Sequence, residues 1–176
     1  MTASIDILED AFTRIRDTVR RAAGGLDPDD LTARVDPEAN TIAWLVWHLT
    51  RVQDDHIAEV AGTEQVWTAG GWEERFALPF APDATGYGQS AAEVAQVAGP
   101  GVTSESLVGY HEAVYAATVA YLRSLAGPGA PAALDRVVDE NWNPPVTLAV
   151  RLVSVISDDL QHAGQASFVR GVLQRR

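Results

Sequence analysis

The chain contains no cysteine and no lysine. The first absence excludes disulfide scaffolds, thiolate metal sites and cysteine nucleophiles. The second excludes Schiff-base chemistry through a lysine amine. No run of about 18 apolar residues occurs, so no membrane-spanning helix is expected. Positive charge is scarce as well. Thirteen cations, all Arg, stand against 24 acids, a formal net charge of −11. A surface that acidic repels phosphate backbones and anionic lipid heads, which argues against nucleic acid and membrane as partners. The opening MTASIDILEDAF lacks a basic segment, so no signal peptide is read and a cytoplasmic location is expected. There is no G-x-S-x-G motif. The richest glycine cluster, Thr85-Gly86-Tyr87-Gly88-Gln89, precedes a short helix with no lysine for a phosphate loop.

What is present is enough apolar residue for one core: 47% of the 176 residues are hydrophobic and 21% charged, so residues 1–176 read as a single domain. Ile5, Leu8, Phe12, Ile15 and Val19 recur at helical steps and predict a helix over Ser4–Ala23, stopped by Gly24-Gly25. A second helix is predicted from an Asn40 cap to Ala61, with Gly62 as its stop. Thr63–Gly101 mixes aromatics with Gly and Pro and predicts an excursion folded back over the body, with a short helix over Ala91–Ala98. A third helix is predicted over Ser104–Leu125 with Thr103 as cap. A fourth is predicted over Val146–Leu173, with Leu148, Leu152, Val155, Leu160, Phe168 and Val172 as its apolar markers. Val137-Val138 is at most a short extended piece. The fold class is therefore all-α, an antiparallel four-helix bundle with an irregular excursion between its second and third helices.

Four histidines carry what chemistry the chain offers. His48 sits in Trp44-Leu45-Val46-Trp47-His48-Leu49, apolar on both sides, so its imidazole points into the bundle. His162 follows Asp158 by four residues, placing the two side chains on one face a turn apart. An Asp/His pair at that step can chelate a divalent cation, with His48 as a third ligand from a facing helix. Two imidazoles and a carboxylate suit Zn, Ni or Fe. The bland alternatives stay open: a hydrogen-bonded core His48, an i,i+4 surface pair of Asp158 with His162, or Asp159 as the partner or orienter of His162. His56 lies about 80° round the helix from His48 and reads as partly exposed, outside any shared site. His111 reads as solvated or interfacial. Trp44 and Trp47 read as core, or as the mouth of a pocket. Arg151, seven residues before Asp158, reads as a surface Arg or as a grip on an anionic group of a ligand.

The segments Trp44–His56 and Ser157–Ala166 together resemble the DinB/YfiT-like superfamily, in the actinobacterial branch of mycothiol-dependent maleylpyruvate isomerase and the mycothiol S-transferases. The resemblance implies a metal held by His48, Asp158 and His162, and low-molecular-weight thiol (mycothiol) as cosubstrate. It further implies that the thiol, held as thiolate, adds to a small electrophile in a transferase or isomerase reaction; Arg151 and Trp44, from their own positions near Asp158 and His48, are expected to bind it. The family's middle ligand is more often His or Glu, and a second His found in many relatives is replaced here by Gln165. Related bundles often dimerise, so a homodimer is also expected. The competing readings are a non-catalytic metal- or ligand-binding stress-response bundle and a purely structural one.

Overall fold

The computed structural model describes residues 3–175. Met1, Thr2 and Arg176 lie outside the described residues. In chain order the elements are α1 (Ala3–Ala23), α2 (Pro28–Thr32), α3 (Ile42–Ala61), α4 (Val66–Ala69), α5 (Trp72–Phe76) and α6 (Ala91–Val94). They continue with α7 (Ser104–Ser124), α8 (Ala130–Leu134), β1 (Val137–Asp139), β2 (Val146–Thr147) and α9 (Leu148–Leu173). The long helices α1, α3, α7 and α9 form the all-α bundle, each packing mainly against two of the others, and β1 and β2 form a small antiparallel pair.

Directions follow from the partners. Glu9 meets Arg123, Thr13 meets Tyr115 and Arg20 meets Glu112, so α1 and α7 run antiparallel. His48 meets His162 and His56 meets Arg151, so α3 and α9 do too. Thr50 meets His111, Gln53 meets Thr118 and Val60 meets Tyr121, so α3 and α7 lie side by side in the same direction. A parallel neighbour cannot be reached by a short turn. The chain leaving α3 must travel back along a helix of 20 residues, about 30 Å. That return is the Thr63–Gly101 excursion, and its aromatics do the expected packing: Trp67, Phe76, Val94 and Val97 are buried.

The return covers the outer side of α3, whose residues 41–54 are buried without interruption. This explains why α3 reads apolar nearly all round, as a helix enclosed on every side must. Thr41, not Asn40, caps it: the Thr41 hydroxyl accepts from the Trp44 N–H, 3.1 Å. Helix α9 starts at Leu148 rather than Val146, because Val146-Thr147 pairs with β1 and Thr147 then serves as cap. The Ala91–Ala98 helix is shorter than expected, closing at Val94 behind a Ser90/Glu93 capping box. Leu160 and Phe168 are not core residues; they are 46% and 65% exposed, because α9 turns Asp159, Ala163 and Ala166 inward instead.

Two buried polar groups shape this core. Arg51 is fully buried. Its guanidinium donates to the carbonyls of Ala84 (3.1 Å) and Pro82 (3.0 Å) and to Gln65 Oε1 (2.7 Å), and it stands over the Trp67 ring. Asp54, 3.8 Å away, accepts the N–H groups of Val66 and Trp67 and the Tyr110 hydroxyl. Together they stitch the start and the middle of the excursion to α3. His111, expected to be solvated or interfacial, is instead a core residue, 1% exposed. The Thr50 hydroxyl donates to the Val46 carbonyl, so the His111 Nδ1–H donates to Thr50, 3.1 Å. The apolar spacing of Leu107, Tyr110 and Val114 put His111 beside the buried face of α7, and α3 closed over it.

Two outcomes follow. Arg51→Ala removes the counter-charge of a buried carboxylate and should cost about 3–5 kcal/mol in urea unfolding. Burial depresses the His111 pKa from 6.5 to about 3. Between those values the unfolded chain binds a proton that the folded chain does not. Stability should therefore fall as pH drops from 6.5 towards 3, by up to about 1.4 kcal/mol per pH unit from this residue. Denaturation series should show a shallower acid slope for His111→Gln.

Candidate metal centre and its groove

The site forms where α3 faces α9. His48 is 3% exposed and is held on three sides. Trp44, one turn earlier, stacks on its ring at 4.6 Å and 14°. Its Nδ1–H donates to the Thr85 carbonyl, 2.5 Å. The Tyr87 ring meets it edge-on at 5.4 Å. A carbonyl can only accept, so this bond fixes the proton on Nδ1 and leaves Nε2 bare in the neutral ring. Burial pushes the His48 pKa down, with the neighbouring His162 adding to the effect, so the neutral form prevails at pH 7.

Across the interface the His162 ring lies 4.8 Å from that of His48. Its Nδ1–H donates to Gln165 Oε1, 2.9 Å, which turns Nε2 toward Asp158 Oδ1 at 3.6 Å. Donor atoms from His48, Asp158 and His162 all lie within 4.8 Å of one another. Two ligands on one tetrahedral ion stand about 3.4 Å apart. Asp158 Oδ2 is buried with no hydrogen-bond partner. Two bare imidazole nitrogens and one carboxyl group with an orphaned oxygen are the donor set that a divalent cation satisfies. Asp159, the alternative partner of His162, is elsewhere: it is fully buried, faces the core, and both its oxygens lack partners.

The strap Thr85–Gln89 was not identified from sequence as part of the site. Gly86 has φ +99°, and a Cβ there would stand 2.7 Å from His48 Nδ1 and 3.1 Å from Trp47. Only glycine lets the backbone approach the imidazole so closely. Gln89 completes the strap by accepting the Trp44 indole N–H, 2.7 Å. The signal was the T-G-Y-G-Q cluster itself, whose glycines serve a histidine rather than a phosphate. Trp44, accordingly, is buried behind His48 instead of standing at a pocket mouth, and Trp47 is buried against Phe80.

From Asp158 a groove runs along α9. It consists of two adjoining clefts of about 380 and 300 Å³ that share His56, Tyr87, Val150 and Ser154. Trp142, on the loop between β1 and β2, and Arg151 border its far end. Arg151 is not a free surface cation. It donates to Asp139 Oδ2 (3.1 Å) and to His56 Nδ1 (2.9 Å). His56 is kept neutral by burial and by the Arg151 charge; it lines the groove and lies outside the cluster.

Fold and site thus define a DinB-like helical bundle with a His/Asp/His cluster at the head of a groove. The chain matches the mycothiol S-transferase family over residues 7–174, and it belongs to that family. A solved structure of a conserved protein from Enterococcus faecalis superposes with a TM-score of 0.88 at 27% identity, covering 100% of this chain and 99% of that one. Among curated proteins, none matches the sequence. No helix among the described residues is long and apolar enough to cross a membrane.

Gly86→Ala should push the strap off His48. The expected results are a destabilisation of about 1–3 kcal/mol and, in ¹⁵N spectra, loss of the pure Nδ1–H tautomer of His48. Unchanged spectra would show that the strap does not set the tautomer.

Proposed function

We propose that this chain transfers a low-molecular-weight thiol of the mycothiol type to a small electrophile, with His48, Asp158 and His162 holding a divalent cation, Zn, Ni or Fe. The observation that carries the reading is the convergence of three donors with both imidazole Nδ1 atoms already engaged and one Asp158 oxygen left without a hydrogen-bond partner. Membership of the mycothiol S-transferase family supports the thiol as cosubstrate.

A bound dication would lower the pKa of a thiol from about 8.5 to below neutral pH and so supply a thiolate. The chain's own residues do the rest. Burial keeps His48 neutral, so its lone pair is available without displacing a proton. Thr85 and Gln165 fix the direction of the two lone pairs, and Trp44 holds the His48 ring in plane. The groove beyond Asp158 seats the partners, with Arg151 at its far end. A sulfur–carbon bond forms at the electrophile as its leaving group departs, or as the adjacent carbon of an activated alkene takes up a proton. The chain has no thiol or lysine amine of its own for the electrophile to consume.

Untagged protein prepared without chelator should carry about one equivalent of a transition metal, measured by elemental analysis. His48→Ala and His162→Ala should each lose the metal. Both should also lower thiol-dependent consumption of an electrophile at least about 100-fold, since a cation in this role is worth several kcal/mol. Metal bound without turnover across a broad panel of thiols and electrophiles would favour a non-catalytic binding bundle. Absence of metal, with melting unchanged by EDTA, would overturn the cation-centred reading altogether.

A further inference from the structure

His48 and His56 stand about 12 Å apart along α3 by helical rise, and their partners set their rings in opposite states. The Nδ1 of His48 meets a carbonyl, which can only accept, so that nitrogen carries the proton. The Nδ1 of His56 meets Arg151 Nη1 at 2.9 Å. A guanidinium can only donate. Here, then, Nδ1 is the acceptor, and in the neutral ring the proton sits on Nε2. One histidine offers a lone pair; the other offers an N–H.

Arg151 is committed to this arrangement. Its side chain is 14% exposed, and Nη2 donates to Asp139 Oδ2 at 3.1 Å. Asp139 accepts the backbone and side-chain N–H groups of Asn141 with its other oxygen, at 2.9 and 3.0 Å, so the guanidinium is held from behind. Asp55 and Glu59 each place an oxygen 3.9 Å from His56 Nδ1, and that Glu59 oxygen is also 3.9 Å from Arg151 Nη1. The guanidinium thus gives its hydrogen bond to the imidazole and not to the carboxylate beside it. Burial, and then the Arg151 charge, keep the ring from taking a second proton against the pull of Asp55 and Glu59. The opposite edge of the ring is open. His56 lines both clefts of the groove. No group among the described residues accepts from its Nε2, which is not sealed in the core. The hydroxyl and indole donors of the lining, Tyr87, Ser154, Ser157 and Trp142, belong to exposed residues, and the Trp142 indole already serves Asp139. His56 is half-buried, where a hydrogen bond competes less with water.

We infer that His56 is a recognition residue of the groove and Arg151 its positioning residue. The guanidinium fixes the imidazole as an Nε2–H donor, and that donor meets an acceptor oxygen (carbonyl, amide or hydroxyl) on the reactant that extends from the His48/Asp158/His162 cluster along the groove. This rests on the proposed reading insofar as the groove is where a reactant lies. The test reads proton position and binding, neither of which involves the cation, so that either can fail without the other.

Long-range ¹H–¹⁵N spectra at pH 7 should show His56 with a bare Nδ1 and a protonated Nε2, whereas His48 shows a protonated Nδ1. Arg151→Met should convert the His56 Nδ1 signal to the protonated type, because Asp55 and Glu59 then act unopposed. Acetophenone and α-methylstyrene are probes of equal shape in which a carbonyl oxygen replaces a methylene. Acetophenone should shift the His56 Nε2 signal. Its affinity should fall at least about threefold in His56→Leu and stay within about twofold in His56→Gln, which keeps an N–H there. α-Methylstyrene should bind all three proteins within about twofold of one another. The two His56 variants carry the test should Arg151→Met fold poorly. Added singly, mycothiol or monobromobimane, an electrophile with carbonyl oxygens, should shift the same signal, and the one that does so identifies the reactant bearing the oxygen. A protonated Nδ1 on His56 in the native protein, a His56 signal unchanged by Arg151→Met, an equal loss of both probes in His56→Leu, or a signal that neither reactant moves would each overturn the inference. Loss of metal binding or thiol transfer with this pattern intact would count against the proposed reaction only.

Discussion

The guanidinium of Arg51 is the interaction on which the site's geometry depends. It lies fully buried in a protein with almost twice as many acids as cations. A buried charge survives only when paired and hydrogen-bonded; this one is hydrogen-bonded by the excursion, through the carbonyls of Pro82 and Ala84 and the amide of Gln65, and paired with Asp54 on its own helix. The next residue after Ala84 is Thr85, whose carbonyl sets the His48 tautomer. Two bonds on one Arg side chain therefore determine where a backbone acceptor stands relative to an imidazole one turn away on the same helix. The apolar burial of Trp67, Phe76 and Val94 brings the excursion down onto α3; Arg51 gives it a register.

Much of this was legible beforehand because the relevant signals are local. The 3–4 spacing in α1 and the i,i+4 step from Asp158 to His162 are properties of one helix, and they survive folding unchanged. Convergence of His48 with them followed from its wholly apolar surroundings in Trp44–Leu49 and from the family resemblance. What was not legible depends on partners distant in sequence. His111 carries no mark that distinguishes a solvated histidine from one whose Nδ1 proton is taken by Thr50, 61 positions earlier. Arg51 looks like any polar residue at the end of an apolar run until the excursion closes on it. Leu160 and Phe168 read as core because apolar spacing does not say which of two faces α9 turns inward; the inward one carries Asp159, Ala163 and Ala166.

The division of labour along α9 is equally simple. Its inward edge supplies packing, the edge toward α3 supplies Asp158 and His162, and the same edge two turns earlier carries Arg151. One rigid helix thus spaces the cluster from the cation at the groove's other end, so the distance between reacting centre and groove terminus is fixed by helical rise rather than by loop conformation. Only Trp142 and Tyr87, on the β1–β2 loop and the strap, come from irregular segments. They are also the groove's most exposed aromatics, at 67% and 66%, and so the parts that vary most cheaply between related proteins.

Because α3 and α7 point the same way, the long return between them is a topological obligation, and its residues do not tolerate change evenly. Residues added or removed in the exposed parts of the stretches between Thr68 and Ala81 and after Ser90, clear of the packed Phe76, Phe80, Val94 and Val97, alter mainly how the chain travels, and loop closure penalises added residues weakly. One residue gained or lost between Pro82 and Gln89 slides Gly86 off the imidazole and puts a side chain where only hydrogen fits. Natural insertions and deletions should thus crowd into the two flanks and skip the eight-residue interval, a footprint that comparative genomics can read without a single assay.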